Sequence, residues 1–302
     1  MLAALAVSIA GCAAPVFKNS KPESAALAAE TRKQEVALLR YRLSQSERLR
    51  NIAYPIYHKG TAMCGEKVKP AIGFRAATPQ HFSEPEREAA TEAFGLSSLP
   101  VVIDVTKRSP AARAGVQAGD TILEFDDEPI VSGEGAKKDF KKKVDAYAKS
   151  KSQVFSLAVR RAGKQIDFSI RPDILCDYPV LYQPKEIVNA AADGKLVFIA
   201  AGMMRFADND TELATVIAHE LAHNTMRHVQ KRQTNQTAGA AAGLVLDVLA
   251  AIAGVNTQGA FSRAGGNIAG RTYSQEFESE ADYVGLYYLA RAGYKIDGAA
   301  NL

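Results

Sequence analysis

Hydrophobic positions along the chain follow two different spacings, which divide it into three stretches. From Pro22 to about Ile52 there is no internal glycine or proline, and apolar residues recur at roughly helical intervals, so this stretch is predicted to form one long amphipathic helix. Between Cys64 and Cys176 the pattern changes to short apolar or alternating runs, which predict strands. These runs cover residues 101–105, 121–125, 154–159 and 165–170.

Helical spacing returns after Cys176. Asn209 and Glu212 are placed like a capping box at the start of a helix that carries Leu213, Val216 and Ile217. A second helix is predicted around residues 274–286. The chain is therefore expected to have an α+β fold, with a mainly helical domain and a separate, mainly-β domain.

Composition narrows the class of protein without assigning a function. The 302 residues are 47% hydrophobic and 23% charged, which is typical of globular proteins and excludes a disordered, collagenous or polytopic membrane chain. The net charge of +4 is too small to indicate a nucleic-acid binder. The Ala/Gly-rich stretch 238–254 lacks the Gly-Lys-Ser/Thr ending of a phosphate loop, so no nucleotide partner is expected.

The segment His219-Glu220-Leu221-Ala222-His223 contains the candidate catalytic and metal-binding residues. Residues four apart share a helix face, so both imidazoles can bind one metal ion while Glu220 lies beside it as a general base. The alternative is that both histidines have only a structural role in the helix. His228 follows five residues later, off that face, and is expected to be a surface or outer-shell residue.

A catalytic zinc needs a third protein ligand and an open position. Met226 and Val229 exclude the pattern that takes a third histidine from the same segment, so a carboxylate from the later helix is expected. Glu276, Glu278 and Glu280 are available there, and helical spacing favours Glu278. Asp282, one turn on, can accept a hydrogen bond from a ligand histidine.

His-Glu-x-x-His together with Glu278-Ser279-Glu280-Ala281-Asp282 resembles the HtpX-like zinc metallopeptidases, specifically their BepA-type periplasmic members. The resemblance implies one zinc ion per chain on His219, His223 and Glu278, with Glu220 as the catalytic base. It also places a substrate-facing strand region at Asn189, Ala190, Val197 and Ile199.

The segment from Ser109 to Asp120, followed by the acidic turn Asp126-Asp127, resembles a bacterial periplasmic PDZ domain. By that resemblance Ile72, Gly73 and Phe74 form the peptide-binding loop, where backbone amides capture a terminal carboxylate. Polypeptide C-termini or exposed strands are the expected partners. A spacer domain without a ligand is the alternative.

The start of the chain resembles a lipoprotein signal, because a short apolar stretch ends in Ile9-Ala10-Gly11-Cys12. Residues 1–11 would be removed and Cys12 acylated, giving a lipid-membrane partner; Ala13 favours the outer membrane. Met1-Leu2 supplies no basic residue, which departs from the usual signal. Export would allow a Cys64–Cys176 disulfide, with two separate buried thiols as the alternative.

These predictions divide the chain into an anchor and first helix (12–63), a PDZ domain inserted at 64–176 and a catalytic domain at 177–302. The expected function is a membrane-anchored periplasmic zinc metalloendopeptidase that hydrolyses unfolded or misassembled envelope proteins. The alternative is a PDZ-based chaperone or assembly scaffold with a latent protease site. Residues 238–254 are interpreted as a mobile lid or membrane-facing element, with a plain buried helix nearly as well supported.

Overall fold

The computed structural model describes residues 24–150, 152–252, 257–264 and 274–296. The predicted signal at residues 1–11 and the predicted lipidation site Cys12 lie outside these ranges.

The first helix is longer than the sequence predicts. Helix α1 spans Ser24–Lys59 and contains Pro55, where the predicted helix has already ended. An interior proline removes a helical hydrogen bond and disfavours continuation. Here the residues around it, Ile56 and Tyr57, are buried in the core at 0% and 4% exposure. Burial of this last turn offsets the cost of the proline.

The middle of the chain forms a mainly-β domain, called here the sheet domain (residues 68–176). Its larger sheet has the strand order β2-β3-β4-β6-β7, with β5 pairing β4, and all of its pairings are antiparallel. Helices α3 and α4 close its core. The elements are β1 (Val68–Ala71), β2 (Phe74–Ala77), α2 (Arg87–Phe94), β3 (Val101–Val105), α3 (Pro110–Ala114), β4 (Thr121–Phe125), β5 (Glu128–Pro129), α4 (Ala136–Lys149), β6 (Phe155–Arg161), β7 (Lys164–Ile170) and β8 (Asp173–Cys176).

The two ends of the sheet domain lie side by side. Strand β1 pairs with β8 in an antiparallel ribbon, with Val68 opposite Cys176. A disulfide joins Cys64 to Cys176, and their Cα atoms are 5.7 Å apart. Closing a loop of 112 residues contributes about 4 to 5 kcal/mol in the chain-entropy description. The chain thus leaves α1 and returns to nearly the same place.

The described residues after Cys176 pack with α1 into a second domain, called here the helical domain. Its core combines the last turns of α1 with a three-stranded sheet and with the helices Ala201–Phe206, Asp210–Thr225 and Ser274–Ala292. The sheet order is β10-β11-β9, with β11 antiparallel to β10 and parallel to β9. The elements are β9 (Val180–Gln183), β10 (Ala190–Ala192), β11 (Val197–Ala200), α5 (Ala201–Phe206), α6 (Asp210–Thr225), α7 (His228–Ile252) and α8 (Ser274–Ala292).

Candidate active site

Helix α6 presents the two histidines of the His-Glu-x-x-His segment on one face. Its start is fixed by Asn209, whose side chain accepts hydrogen bonds from the backbone amides of Thr211 and Glu212. The Glu212 carboxylate reaches back to the amide of Asp208, one residue before the capping position, which makes a variant of the predicted box. Apolar residues on the opposite face, including Leu213 and Ile217, are fully buried.

Helix α8 approaches α6 closely enough to place its carboxylates beside the histidines. The helices come closest at Gly285, where an added Cβ would lie 3.3 Å from the backbone nitrogen of His219 and 3.4 Å from its Cα. A larger residue would push the helices apart. Because Glu278 and Asp282 precede Gly285 by about two turns and one turn, they share its face of α8.

Three potential metal ligands meet between these helices. His219 Nε2 lies 3.0 Å from His223 Nε2, and Glu278 Oε2 lies 3.3 Å and 3.5 Å from those two nitrogens. Ligand atoms about 2.0–2.1 Å from a tetrahedral zinc ion stand about 3.3 Å from one another. The observed spacing therefore suits one zinc ion on these three side chains, and among the described residues no other group of His, Cys, Asp and Glu has ligand-like spacing.

The outer nitrogen of each ligand histidine also has a partner. His219 Nδ1 lies 2.9 Å from Asp282 Oδ1, the arrangement predicted for Asp282. A carboxylate here favours a proton on Nδ1, which leaves the lone pair of Nε2 free for the metal.

His223 is held by His228, a contact the sequence does not indicate. His223 Nδ1 lies 3.0 Å from His228 Nδ1, and His228 Nε2 lies 2.8 Å from Glu280 Oε2. The His228 side chain is 3% exposed, so its interpretation as a surface residue is wrong and the outer-shell alternative describes its place. Its ring stacks on Phe277 at 4.6 Å.

A break between α6 and α7 explains this contact. On a continuous helix, a residue five positions after His223 would point away from the ligand face. Instead α6 ends at Thr225, and Arg227 adopts a left-handed conformation with φ of 60°. Helix α7 then begins at His228, which brings this ring back against His223.

The hydrogen bonds that link His223, His228 and Glu280 require a particular tautomer of each histidine. With Nε2 of His223 directed at the metal position, its Nδ1–H donates to His228, so His228 Nδ1 must accept. The proton of neutral His228 is then on Nε2, where it donates to Glu280. This bond, aided by Lys231, holds the pKa of Glu280 below its ordinary value.

Glu220 lies next to the ligands, half-buried on α6. Burial raises the pKa of its carboxyl group, and the nearby Glu278 raises it further, whereas His219 and the Ala192 amide act in the opposite direction. Strand β10 packs against α6, the helix that carries Glu220.

The predicted substrate-facing strand is wrong for two of its four residues. Val197 and Ile199 lie on β11, which is the central strand of the sheet, and both are fully buried. A strand paired on both sides has no free edge for a peptide. Ala190 belongs to β10, the edge strand, and Asn189 lies exposed just before it. Asn224 on α6 fixes the connecting turn by bonding the Gly194 amide and the Leu196 carbonyl.

The predicted peptide-binding loop lies far from these groups in the sequence and at the edge of the sheet domain. Ile72 and Gly73 connect β1 to β2, and Phe74 begins β2, the edge strand of the larger sheet. Gly73 has φ of 84°, and its carbonyl accepts bonds from the Thr106 amide and the Ser109 hydroxyl, both at 3.0 Å.

Most of the Ala/Gly-rich stretch 238–254 belongs to α7. Leu244, Val245, Leu246 and Val248 are each more than half exposed, so a plain buried helix is wrong for this part. Asp247 is buried and accepts hydrogen bonds from Thr257 and from the amides of Phe261 and Ser262. Within the described ranges no helix combines the length and apolar character needed to cross a membrane.

Relatives of the chain were found for both domains. Residues 160–302 match the family model described as Peptidase family M48, and residues 71–171 match the model described as PDZ domain.

Two curated proteins illustrate the similarity. The chain is 32% identical over 117 residues to the beta-barrel assembly-enhancing protease of Escherichia coli (strain K12), covering 36% of this chain and 24% of that protein. It is 38% identical over 120 residues to the mitochondrial metalloendopeptidase OMA1 of Arabidopsis thaliana, covering 39% of this chain and 23% of that protein. The chain thus spans only about a quarter of the length of these curated relatives.

Among solved structures, the HtrA3 PDZ domain bound to a phage-derived ligand is 28% identical with a TM-score of 0.25, covering 36% of this chain and 88% of that one. The two family matches, one over each domain, identify an M48 peptidase segment at residues 160–302 and a PDZ segment at residues 71–171.

Proposed function

We propose that this chain is a zinc-dependent endopeptidase of the bacterial envelope, which hydrolyses unfolded or misassembled envelope proteins recruited by its PDZ domain. The observation that carries the proposal is the convergence of His219, His223 and Glu278 at ligand spacing, with Glu220 beside them. Three protein ligands, rather than four, leave the open coordination position that a catalytic zinc ion needs.

Zinc on these three side chains would supply a water of lowered pKa and a positive charge that polarises the peptide carbonyl. Glu220 then acts as the general base: its carboxylate accepts a proton during attack and donates it to the leaving amine. Asp282 and His228 are positioning residues that fix the rings of His219 and His223.

The edge of β10 is the proposed place for the substrate backbone. Among the described strands, β10 pairs with β11 alone, so its other edge carries no strand. Pairing to a free strand edge holds a peptide through its main chain and depends little on its sequence. Strand β10 packs against α6, the helix that carries Glu220, so this edge lies near the catalytic base.

The domain arrangement supports recruitment by the PDZ domain. We propose that residues 64–176 form a domain inserted between α1, in 12–63, and the remainder of the catalytic domain, 177–302. The disulfide and the β1–β8 ribbon hold the two ends of this insertion together. A second binding site on the same chain raises the effective concentration of a bound polypeptide at the active site.

The location and the class of substrate are part of the proposal. One of the relatives is named for enhancing β-barrel assembly, and that name supports β-barrel proteins as substrates of this chain. Acylation of Cys12 would tether the protein to the outer membrane, facing the periplasm.

Replacing the general base tests this function. Glu220→Gln should keep about one zinc per chain but reduce cleavage of unfolded casein by a factor on the order of 10² to 10⁴, because only the proton transfers are lost. The matched control is Glu276→Gln, because Glu276 is an exposed carboxylate on α8 that is not among the ligands. This variant should cleave casein like the wild type. Full cleavage by Glu220→Gln would contradict the assignment of the base. Undiminished function of that variant in cells would instead favour the scaffold alternative.

A further inference from the structure

Asn224 is a polar residue in the core of the helical domain, one position after the ligand His223. Its side chain is 1% exposed. The other buried residues of α6 are apolar, among them Ile217 and Leu221. A buried amide group costs free energy unless its hydrogen bonds are satisfied, so asparagine at this position indicates a specific partner.

The partner of Asn224 is the turn that joins β10 to β11. Asn224 Oδ1 accepts a hydrogen bond of 2.6 Å from the Gly194 amide, and its Nδ2 donates one of 2.9 Å to the Leu196 carbonyl. Within the turn, Asp193 Oδ1 accepts hydrogen bonds from the amides of Lys195 and Leu196. The turn is therefore a closed unit, which Asn224 holds against α6 as a whole.

Strand β10 has weak side-chain packing of its own. It consists of Ala190, Ala191 and Ala192, whose small side chains bury little apolar surface, and Ala191 is exposed. Within the described part of the chain, its backbone pairs with one strand, β11. The two hydrogen bonds of Asn224 act at the Ala192 end of this strand, so they fix a position that packing alone would leave loose.

The position of Asn224 along α6 links the turn to the proposed general base. Asn224 follows Glu220 by four residues, so the two side chains share a face of the helix and are about 6 Å apart along its axis. Helix α6 packs against both β10 and β11. A single turn of α6 therefore carries the base and also the side chain that holds the neighbouring strand.

We propose that Asn224 is a positioning residue of the peptidase, which holds β10, and with it the backbone of a bound substrate, at a fixed distance from Glu220. This rests on the proposed function, in which β10 pairs with the substrate. An apolar residue of similar size would fill the same space in the core but would let the turn shift against α6. A shift of about 1 Å in a bound substrate can lower the rate on the order of 10²-fold.

Variants on both sides of this contact test the inference. Asn224→Leu keeps the size of the side chain and removes both hydrogen bonds. Gly194→Ala strains the turn itself, because Gly194 has φ of 90°, which alanine rarely adopts. Each should lower kcat/KM for unfolded, fluorescein-labelled casein about 10- to 100-fold. Zinc affinity should stay within about twofold of the wild type, because neither variant alters a ligand or the partner of a ligand.

Two matched variants separate positioning from a general loss of stability. Lys195→Ala changes an exposed side chain of the same turn, keeps the backbone bonds and should cleave casein like the wild type. Leu213→Ala removes a fully buried side chain at the other end of α6, so it should lower the unfolding temperature. At a temperature at which circular dichroism shows this variant to be folded, its kcat/KM should be unchanged. A loss of kcat/KM as large as that of Asn224→Leu would show that Asn224 acts only through stability, and the inference would be wrong.

Casein binding separates this inference from the proposed function. It is measured by anisotropy in the Glu220→Gln background, where Asn224→Leu should weaken binding about three- to tenfold because β10 is displaced. This loss of binding, found together with a wild-type chain that does not cleave casein, would support the role of Asn224 and contradict the peptidase. If Asn224→Leu changes neither binding nor cleavage, the inference is wrong, and cleavage by the wild type leaves the peptidase in place. A fall in zinc affinity that matches the fall in kcat/KM would place the effect at the metal and would also contradict the inference.

Discussion

The two sides of the candidate metal site hold their histidines in different ways. On one side, His219 bonds directly to Asp282, whose side chain is 72% exposed. On the other side, His223 bonds to His228, which is 3% exposed and bonds in turn to Glu280. One ligand therefore has a single partner at the surface, and the other has a buried partner that is itself held in place.

This difference determines what can replace each partner. Water can reach the position of Asp282 and accept the bond from His219, so loss of the carboxylate can be partly compensated. Water has little access to the position of His228, and loss of that ring leaves a buried donor on His223. We therefore expect the His223 side to contribute more to metal affinity, although its partner is not a carboxylate.

Removing His228 should have the largest effect among the positioning residues. His228→Leu replaces the ring with an apolar side chain of similar size and leaves His223 Nδ1 without an acceptor. Zinc affinity, measured by competition with a chromogenic chelator, should fall about 100-fold, at the upper end for outer-shell partners. Thermal unfolding in excess chelator should show a loss of about 1–3 kcal/mol, since His223 Nδ1 remains without a partner when the metal is absent. Unchanged zinc affinity would contradict a positioning role for His228.

Asp282→Ala should have a smaller effect. His219 loses its acceptor, but solvent can take the place of the exposed carboxylate, so we expect zinc affinity to fall about tenfold. Stability without metal should change little. Glu276→Ala, on the same helix, provides the control for removal of an exposed carboxylate and should leave zinc affinity unchanged. If Asp282→Ala loses more affinity than His228→Leu, the order inferred from burial is wrong.

The His219 side of the site could be predicted because it depends on spacing within regular helices. Glu278 and Asp282 are one turn apart on α8, and helical periodicity places them on one face whatever the surroundings.

The His223 side could not be predicted because it depends on where a helix breaks. Arginine gives no signal for the left-handed conformation that Arg227 adopts, so the sequence predicts a position for His228 as if α6 continued. Val197 and Ile199 show a similar limit: an apolar run predicts a strand but does not say whether it lies at the centre or the edge of a sheet. Pro55 within α1 shows that burial can override a local helix-ending signal.

Two variants of Glu280 should show the smallest difference in zinc affinity. Glu280→Gln keeps an oxygen that can accept from His228 Nε2–H, so the tautomer is retained and zinc affinity should fall by about threefold or less. Glu280→Ala removes the acceptor, so zinc affinity should fall further. The loss should approach that of Asp282→Ala, because Glu280 is itself 42% exposed. Equal losses in both variants would show that the charge of Glu280 matters rather than the bond it accepts. Because Glu280 acts on the metal only through His228, either substitution combined with His228→Leu should add almost nothing to the loss from His228→Leu alone.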